Sequence, residues 1–220
     1  MKSINWFDKF IEILVVIIGI SIAFWLNNWN SDRNDRALEQ KYMESMVSDL
    51  ESDIEELSIM VDTFQYYNEV NADLVYGITR NTLNEDSLGV YIISLISISE
   101  FHPQNNTYET LKNSGNFNVF KNFALEKEIT ILYNEFYRQI GFIDEVHQDN
   151  IMNNFNQYIA ERVPFTGTNT VSNAEFAYTT YFVNKAFNIQ YLMLSKTAIY
   201  EASLKQSIKV RDLLVSELEK

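Results

Sequence analysis

The side chains best suited to chemistry are few in this sequence. Among 220 residues only two are histidine and none is cysteine. Without cysteine there is no disulfide, no thiolate metal site, no sulfur nucleophile and no acylated lipoprotein cysteine. His147 follows Asp144 by three residues, which sets both on one face of a helix. A carboxylate–histidine pair at that spacing is half of a di-iron bundle site. The other half needs a second such pair and two more glutamates on facing helices. No second pair occurs, so no metal and no cofactor are expected, and His147 reads as a core or boundary histidine. His102 lies directly before Pro103 with no serine or cysteine motif beside it, which leaves nucleophilic catalysis unsupported. Neither a Walker pattern nor G-x-G-x-x-G is present to cradle phosphate. The aromatic runs Phe64 to Tyr67, Tyr133 to Tyr137 and Tyr178 to Phe182 offer either a ligand pocket or core. Helical spacing favours core. The expected catalytic set is empty, and the chain reads as a non-enzyme.

One constellation has a spatial pattern of another kind. Glu12, Gly19, Ala23 and Asn30 are spaced by seven, four and seven, so a helix aligns them in one stripe. Gly19-x-x-x-Ala23 is a small-xxx-small step that lets two membrane helices approach closely. A carboxylate inside a membrane generally faces protein rather than lipid. The competing view is that Gly and Ala are common in membrane helices and that Glu12 reaches the interface unaided. The stripe is taken as the candidate helix-packing seam.

The element that positions this stripe is the apolar segment 10–26, FIEILVVIIGISIAFWL, with Glu12 its one charge. A bilayer-spanning helix needs roughly 17–25 residues, and this segment meets the lower bound. Trp6 precedes it and Trp25 and Trp29 close it, as an interfacial aromatic belt would. A cleavable signal would need small residues after the apolar run, where Phe24-Trp25-Leu26 stand instead. The expectation is an uncleaved anchor at 1–30, embedded in lipid through residues 10–26. Charges around it do not orient it: Lys2 and Lys9 precede, while Arg33, Arg36 and Lys41 follow among Asp32, Asp35 and Glu39.

The remainder, 31–220, carries the whole net charge of −13, because Lys2 and Lys9 balance Asp8 and Glu12. Such an acidic domain repels phosphate backbones and anionic headgroups, which argues against nucleic acid as a partner. With 6 Gly and 2 Pro in the chain, there are too few breakers for a many-stranded sheet. The fold class expected is all-α: a single N-terminal transmembrane helix followed by an antiparallel helical bundle with long helices.

Periodicity places those helices. Met43, Met46, Leu50, Ile54, Leu57, Val61 and Phe64 form a narrow apolar stripe, predicting a helix that continues from the anchor to about residue 78. Asp86-Ser87 reads as the cap of a helix starting at Leu88 and ended by His102-Pro103. Asn106-x-x-Glu109 reads as a capping box, with Gly115 ending that short helix. Leu125, Ile129, Leu132, Phe136, Ile140, Ile143 and His147 line a second long helix reaching about Arg162. A loop at 163–171, a capping box at Ser172-x-x-Glu175 and a break within 184–188 are expected next. Phe187, Tyr191, Leu194 and Ala198 then open the apolar stripe of a last long helix. Only residues 92–98 tempt a strand reading.

Two stretches carry a likeness. The first runs from Glu12-Ile13-Leu14-Val15-Val16-Ile17-Ile18-Gly19-Ile20-Ser21-Ile22-Ala23 through Asn27-Asn28-Trp29-Asn30 to the charged Ser31-Asp32-Arg33. The second is Tyr108-Glu109-x-Leu111-x-x-Ser114-Gly115-Asn116, with Asn122 and then Leu125 through Tyr133. Together they resemble the Bacteroidota membrane-protein family catalogued as domain of unknown function 6090. The resemblance implies a bacterial inner-membrane protein with one N-terminal span and a periplasmic C-terminal domain. It brings no activity and no catalytic residues.

Three function classes follow. The first is an interaction or scaffold subunit of an envelope complex, self-associating or joined to another membrane protein. The second is an extracytoplasmic ligand-sensing domain. With about ten residues ahead of the anchor, it would have to signal through a partner. The third is an enzyme of unrecognised type, for which no constellation speaks.

Overall fold

A computed structural model describes residues 6–167 and 170–220. The chain is all-α. Helix α1, Trp6–Arg80, is 75 residues long and unbroken, which at 1.5 Å per residue is about 110 Å. It is followed by α2 (Leu88–Ile96) and α3 (Asn106–Ser114). Next come α4 (Phe123–Ile131), α5 (Arg138–Asn150) and α6 (Asn156–Arg162). The last is α7 (Thr180–Leu218). Between α4 and α5 lies a π-helical turn, Leu132–Tyr137, and between α5 and α6 a second, Ile151–Phe155, so residues 123–162 form one rod.

The ends of α1 show how local chemistry sets length. Asn81 takes a left-handed φ of 55°. The Asn81 N–H then bonds to the Ile78 carbonyl and the Thr82 N–H to the Gly77 carbonyl, at 3.2 and 2.9 Å. This pair of bonds is a Schellman termination. Gly77 lets the chain fold back closely there, since a Cβ would sit 3.0 Å from Leu83 Cα and press it away. Gly115 plays the expected role at the end of α3, with φ 71°.

Three rods make the bundle. The ring of Phe64 on α1 packs edge-on against Tyr200 of α7 at 5.0 Å. Asn68 on α1 bonds to Thr197 on α7. Rising numbers on one helix meet falling numbers on the other, so α7 is antiparallel to α1. Gln206 bonds to Glu128 and Asn150 to Asn188, so α7 is antiparallel to the 123–162 rod as well. The latter runs in the direction of α1, because α2, the 97–105 loop and α3 carry the chain back.

The core divides in two. A cluster near the apolar end holds Met46, Leu50, Leu57, Phe64, Ile129, Leu132, Tyr200 and Val210. A distal cluster holds Leu74, Ile92, Leu95, Phe155, Phe182 and Ile189.

Several expectations are corrected by this packing. The 3-10 turn Glu85–Ser87 precedes α2, and its cap is Asn84, whose Oδ1 accepts from the Asp86 N–H; Ser87 makes no capping bond. Helix α2 stops at Ile96, before His102-Pro103, with Ser97 extended. Asn105, not Asn106, is the cap residue of α3, and no capping box forms. Asn173 accepts from the Glu175 N–H in place of the Ser172 box. Within the expected loop a two-stranded ladder forms, β1 (Phe165–Gly167) against β2 (Thr170–Val171). Residues 92–98, the strand-tempting run, are helical through Ile96.

The largest correction concerns α7, which is continuous across 184–188. Its cap is Thr179, whose Oγ1 accepts from the Phe182 N–H. Its buried face is Phe182, Ala186, Ile189, Met193, Lys196, Thr197, Tyr200, Ser203, Ser207, Val210 and Leu214. Phe187, Tyr191 and Leu194, expected inside, are 46%, 69% and 51% exposed.

Candidate functional site

The seam residues stand where the spacing puts them. At 3.6 residues per turn, Glu12, Gly19, Ala23 and Asn30 fall within about 40° of one another on α1. Every described side chain between residues 9 and 37 is exposed, so no other part of the chain covers this face. A Cβ added to Gly19 would meet nothing within 4 Å. Lys9 Nζ lies 2.6 Å from Glu12 Oε2, giving the carboxylate a cationic neighbour one turn away. Trp25 and Trp29 are exposed on the same helix. Trp6 opens the helix, but its side chain lies outside the described residues. Among the described residues, this is the one helix long and apolar enough to cross a membrane.

Inside the bundle, two polar clusters do different work. In the first, Lys196 of α7 is fully buried with Nζ 2.9 Å from Asp144 Oδ1 of α5. Tyr200 donates to Asp144 Oδ2 at 2.7 Å. The Phe101 N–H reaches both Asp144 Oδ2 and the Tyr200 hydroxyl, each at 3.2 Å. Lys196 also donates to the Ser99 carbonyl. Its ammonium lies 4.7 Å from the centre of the Phe64 ring. Burial lowers the Lys196 pKa, and the charge of Asp144 pulls it back up. Burial, then the charge of Asp144, drives the Tyr200 hydroxyl well above the ordinary phenol range.

In the second cluster Asp53 of α1 is fully buried. Its Oδ1 accepts from the Gln104 N–H and its Oδ2 from the Tyr137 hydroxyl, both at 2.8 Å. Ser207 of α7 lies 3.0 Å from the same hydroxyl. Burial pushes the Asp53 carboxyl up to about 6, against the lowering effect of these hydrogen bonds. Tyr137 reaches Asp53 because the π turn 132–137 inserts an extra residue, which turns both Tyr133 and Tyr137 inward. Thr107 completes the row with a 2.5 Å bond to Asp49.

Both clusters fasten the non-helical 97–105 segment. A loop running under helices leaves N–H and C=O groups that need partners, and these carboxylates, the lysine and Tyr133, which donates to the Gln104 carbonyl, supply them. Neither cluster offers an acid or base to an outside molecule, because the reacting atoms are sealed from solvent. A surface groove of about 410 Å³ lies elsewhere, lined by Asn154, Tyr158, Arg162 and Tyr181 among others. His147 is fully buried. Burial, then the nearby Lys196 charge, lowers its pKa to about 4. Among the described residues no three His, Asp or Glu side chains converge on one point.

Sequence reasoning singled out Asp144 and His147 and set Tyr137 in an aromatic run favoured as core, but missed Asp53, Lys196 and Tyr200. One signal was available: Lys196 is the one charged residue on the buried i, i+3, i+4 face of α7. Compared with known proteins, the chain matches no family model, no curated protein and no solved structure.

Proposed function

We propose that this chain is a membrane-anchored helical interaction subunit of a bacterial envelope complex, with no catalytic role. Residues 10–26 of α1 sit in the bilayer, and the acidic bundle stands on the periplasmic side. The stripe of Glu12, Gly19, Ala23 and Asn30 meets a second membrane helix, from another copy or another protein. The observation that carries this reading is the single unbroken α1, exposed and apolar over its first third and packed into the bundle beyond Leu38. A rigid rod shared by span and bundle fixes the bundle's orientation relative to whatever the span binds. The resemblance given by Glu12 to Arg33 supports the envelope location and the orientation.

Two measurements test it. A fluorescent reporter that matures only in the cytoplasm, fused after Lys220, is expected to stay dark. Cross-linking in native membranes is expected to trap the chain with itself or with one other membrane protein. A bright fusion overturns the orientation, and a chain recovered only as a monomer overturns the interaction role.

A further inference from the structure

The seam continues past the apolar segment. Beyond Leu26 helix α1 runs through a stalk, residues 27–37, before the bundle begins at Leu38, and every stalk residue is exposed. Seven of these eleven residues are Asn, Asp or Ser, which are weak helix formers. At 100° per residue, Asn27, Asn34 and Ala37 fall on the same side of α1 as Glu12, Gly19, Ala23 and Asn30. All seven lie within an arc of about 80°.

Two independent features mark that side as a contact face. Charge in the stalk is kept off it: Asp32, Asp35 and Arg36 lie about 120° or more from its middle, and Arg33 borders it. The bundle is kept off it too. Glu39, Met43, Met46 and Leu50, the first buried residues of α1, lie about 140° or more away. A helix seated on the stripe therefore has the bundle behind it and uncharged side chains in front.

The chemistry of the stripe selects its occupant. Copies inserted in the same sense stand parallel and at one depth in the bilayer, so each residue faces its like. An amide both donates and accepts, so Asn27, Asn30 and Asn34 each suit the same residue of another copy. Asparagine at seam positions sets the register of parallel helix pairs. The stalk's two carboxylates and two basic side chains cancel, so like copies do not repel there.

Resting on the reading of residues 10–26 as the span, we infer that a second copy of this chain occupies the stripe. Two α1 helices pair in parallel from Glu12 to Ala37, over about 37 Å. Beyond Lys41 the same side of α1 carries Glu44, Glu51, Glu55, Asp62, Glu69 and Asp73, all exposed, with no Lys or Arg before Arg80. Like charges part the two helices there. The paired stretch ends at the stalk.

The chain has no cysteine, so single cysteines report the contact in the full chain in native membranes. A disulfide needs Cα atoms within about 7 Å. Mild oxidation is expected to link dimers through Asn30→Cys, Asn34→Cys and Ala37→Cys, and several-fold less through Asn28→Cys, Asp32→Cys and Asp35→Cys. A flat profile, or one highest in the second set, overturns the pairing. Energy transfer between differently tagged copies gives a second reading. Asn34→Asp sets two carboxylates face to face and is expected to lower the transfer several-fold. Asn28→Asp adds the same charge on the far side and is expected to leave it unchanged; equal effects overturn the proposal. A photo-activated cross-linker at position 34 is expected to trap the chain with itself. Trapping only a different protein overturns the second copy and keeps the interaction role, whereas trapping nothing overturns both.

Discussion

The two stretches of α1 carry apolar side chains in different patterns. Over residues 10–26 they run all round the helix, and each is exposed. Over residues 38–80 they recur at three- and four-residue steps, and Met43, Met46, Leu50, Leu57, Val61, Phe64, Leu74 and Ile78 are buried. A helix apolar on all sides must be covered all round, whereas a striped one is satisfied by neighbours on one side. The bundle supplies neighbours for the second stretch and none for the first. Backbone continuity therefore says nothing about shared stability, and each stretch is expected to tolerate loss of the other.

Deleting residues 1–30 is the harshest way to break that comparison. The full chain is expected in the membrane pellet and the truncated chain in the soluble fraction, with a helical far-UV spectrum in both. A truncated chain that loses its helicity would show that the apolar stretch holds up the bundle.

Removing one partner of the buried ion pair comes next. Lys196→Met leaves Asp144 as a buried carboxylate with only Tyr200 and the Phe101 N–H beside it. Breaking such a pair costs about 3–5 kcal/mol, or roughly 10 °C in Tm for a chain of this size. Thermal unfolding of the full chain in detergent reads the loss. Membrane partition is expected to stay unchanged, since Lys196 belongs to the bundle alone.

The unequal legibility of the molecule has a physical basis in these same residues. The stripe from Met43 to Phe64 was readable because a single face carries it, although Asp53 and not Ile54 takes the fully buried place. Helix α7 was not, because Phe187, Tyr191 and Leu194 repeat with the same steps as Ala186, Ile189 and Met193. Period alone cannot choose between two apolar faces. The choice is made by partners distant in sequence, such as Phe64 for Tyr200 and Asp144 for Lys196. The buried clusters were hidden for the same reason: Phe101 finds its acceptors 43 and 99 residues away. The π turns leave no mark in the pattern either, because the inserted residue is visible only once Tyr137 meets Asp53. By contrast, the alignment of Glu12, Gly19, Ala23 and Asn30 on one face of α1 depends only on spacing within one helix, which a sequence states directly.

Acidity sharpens the account of the bundle. The Asp53 carboxyl is raised from 3.8 to about 6 in the folded state. Its contribution to stability is full below pH 3.8 and is lost as pH rises through 6. His147 is lowered from 6.5 to about 4. Its contribution is full above pH 6.5 and is lost as pH falls towards 4. Each amounts to about 3 kcal/mol at most, and the two oppose each other between pH 4 and 6. Asp53→Asn is therefore expected to make stability fall more steeply on acidification than in the parent chain. His147→Phe is expected to make it fall less or rise. Denaturant midpoints at pH 4, 5 and 6 check both, and parallel profiles for the three proteins would contradict the assignment.

The smallest effect on folding belongs to the seam. In lipid the hydrophobic effect does not drive helices together, so close backbone packing and polar bonds must. Gly19→Ile adds a branched side chain to a helix face where nothing lies within 4 Å inside the chain. Neither Tm nor insertion is expected to change. A second helix seated on the stripe would be held away, at a loss of about 1 kcal/mol, or roughly fivefold in association. Glu12→Gln is milder: the amide still hydrogen-bonds but no longer pairs with Lys9, and that pair is exposed at the helix surface. Ile18→Leu, off the stripe, serves as the control. Cross-linking yields in native membranes rank the three, with Gly19→Ile lowest and Ile18→Leu equal to the parent chain. Equal yields throughout would make the stripe a lipid-facing surface, and the case for an assembly held together by this segment would fall.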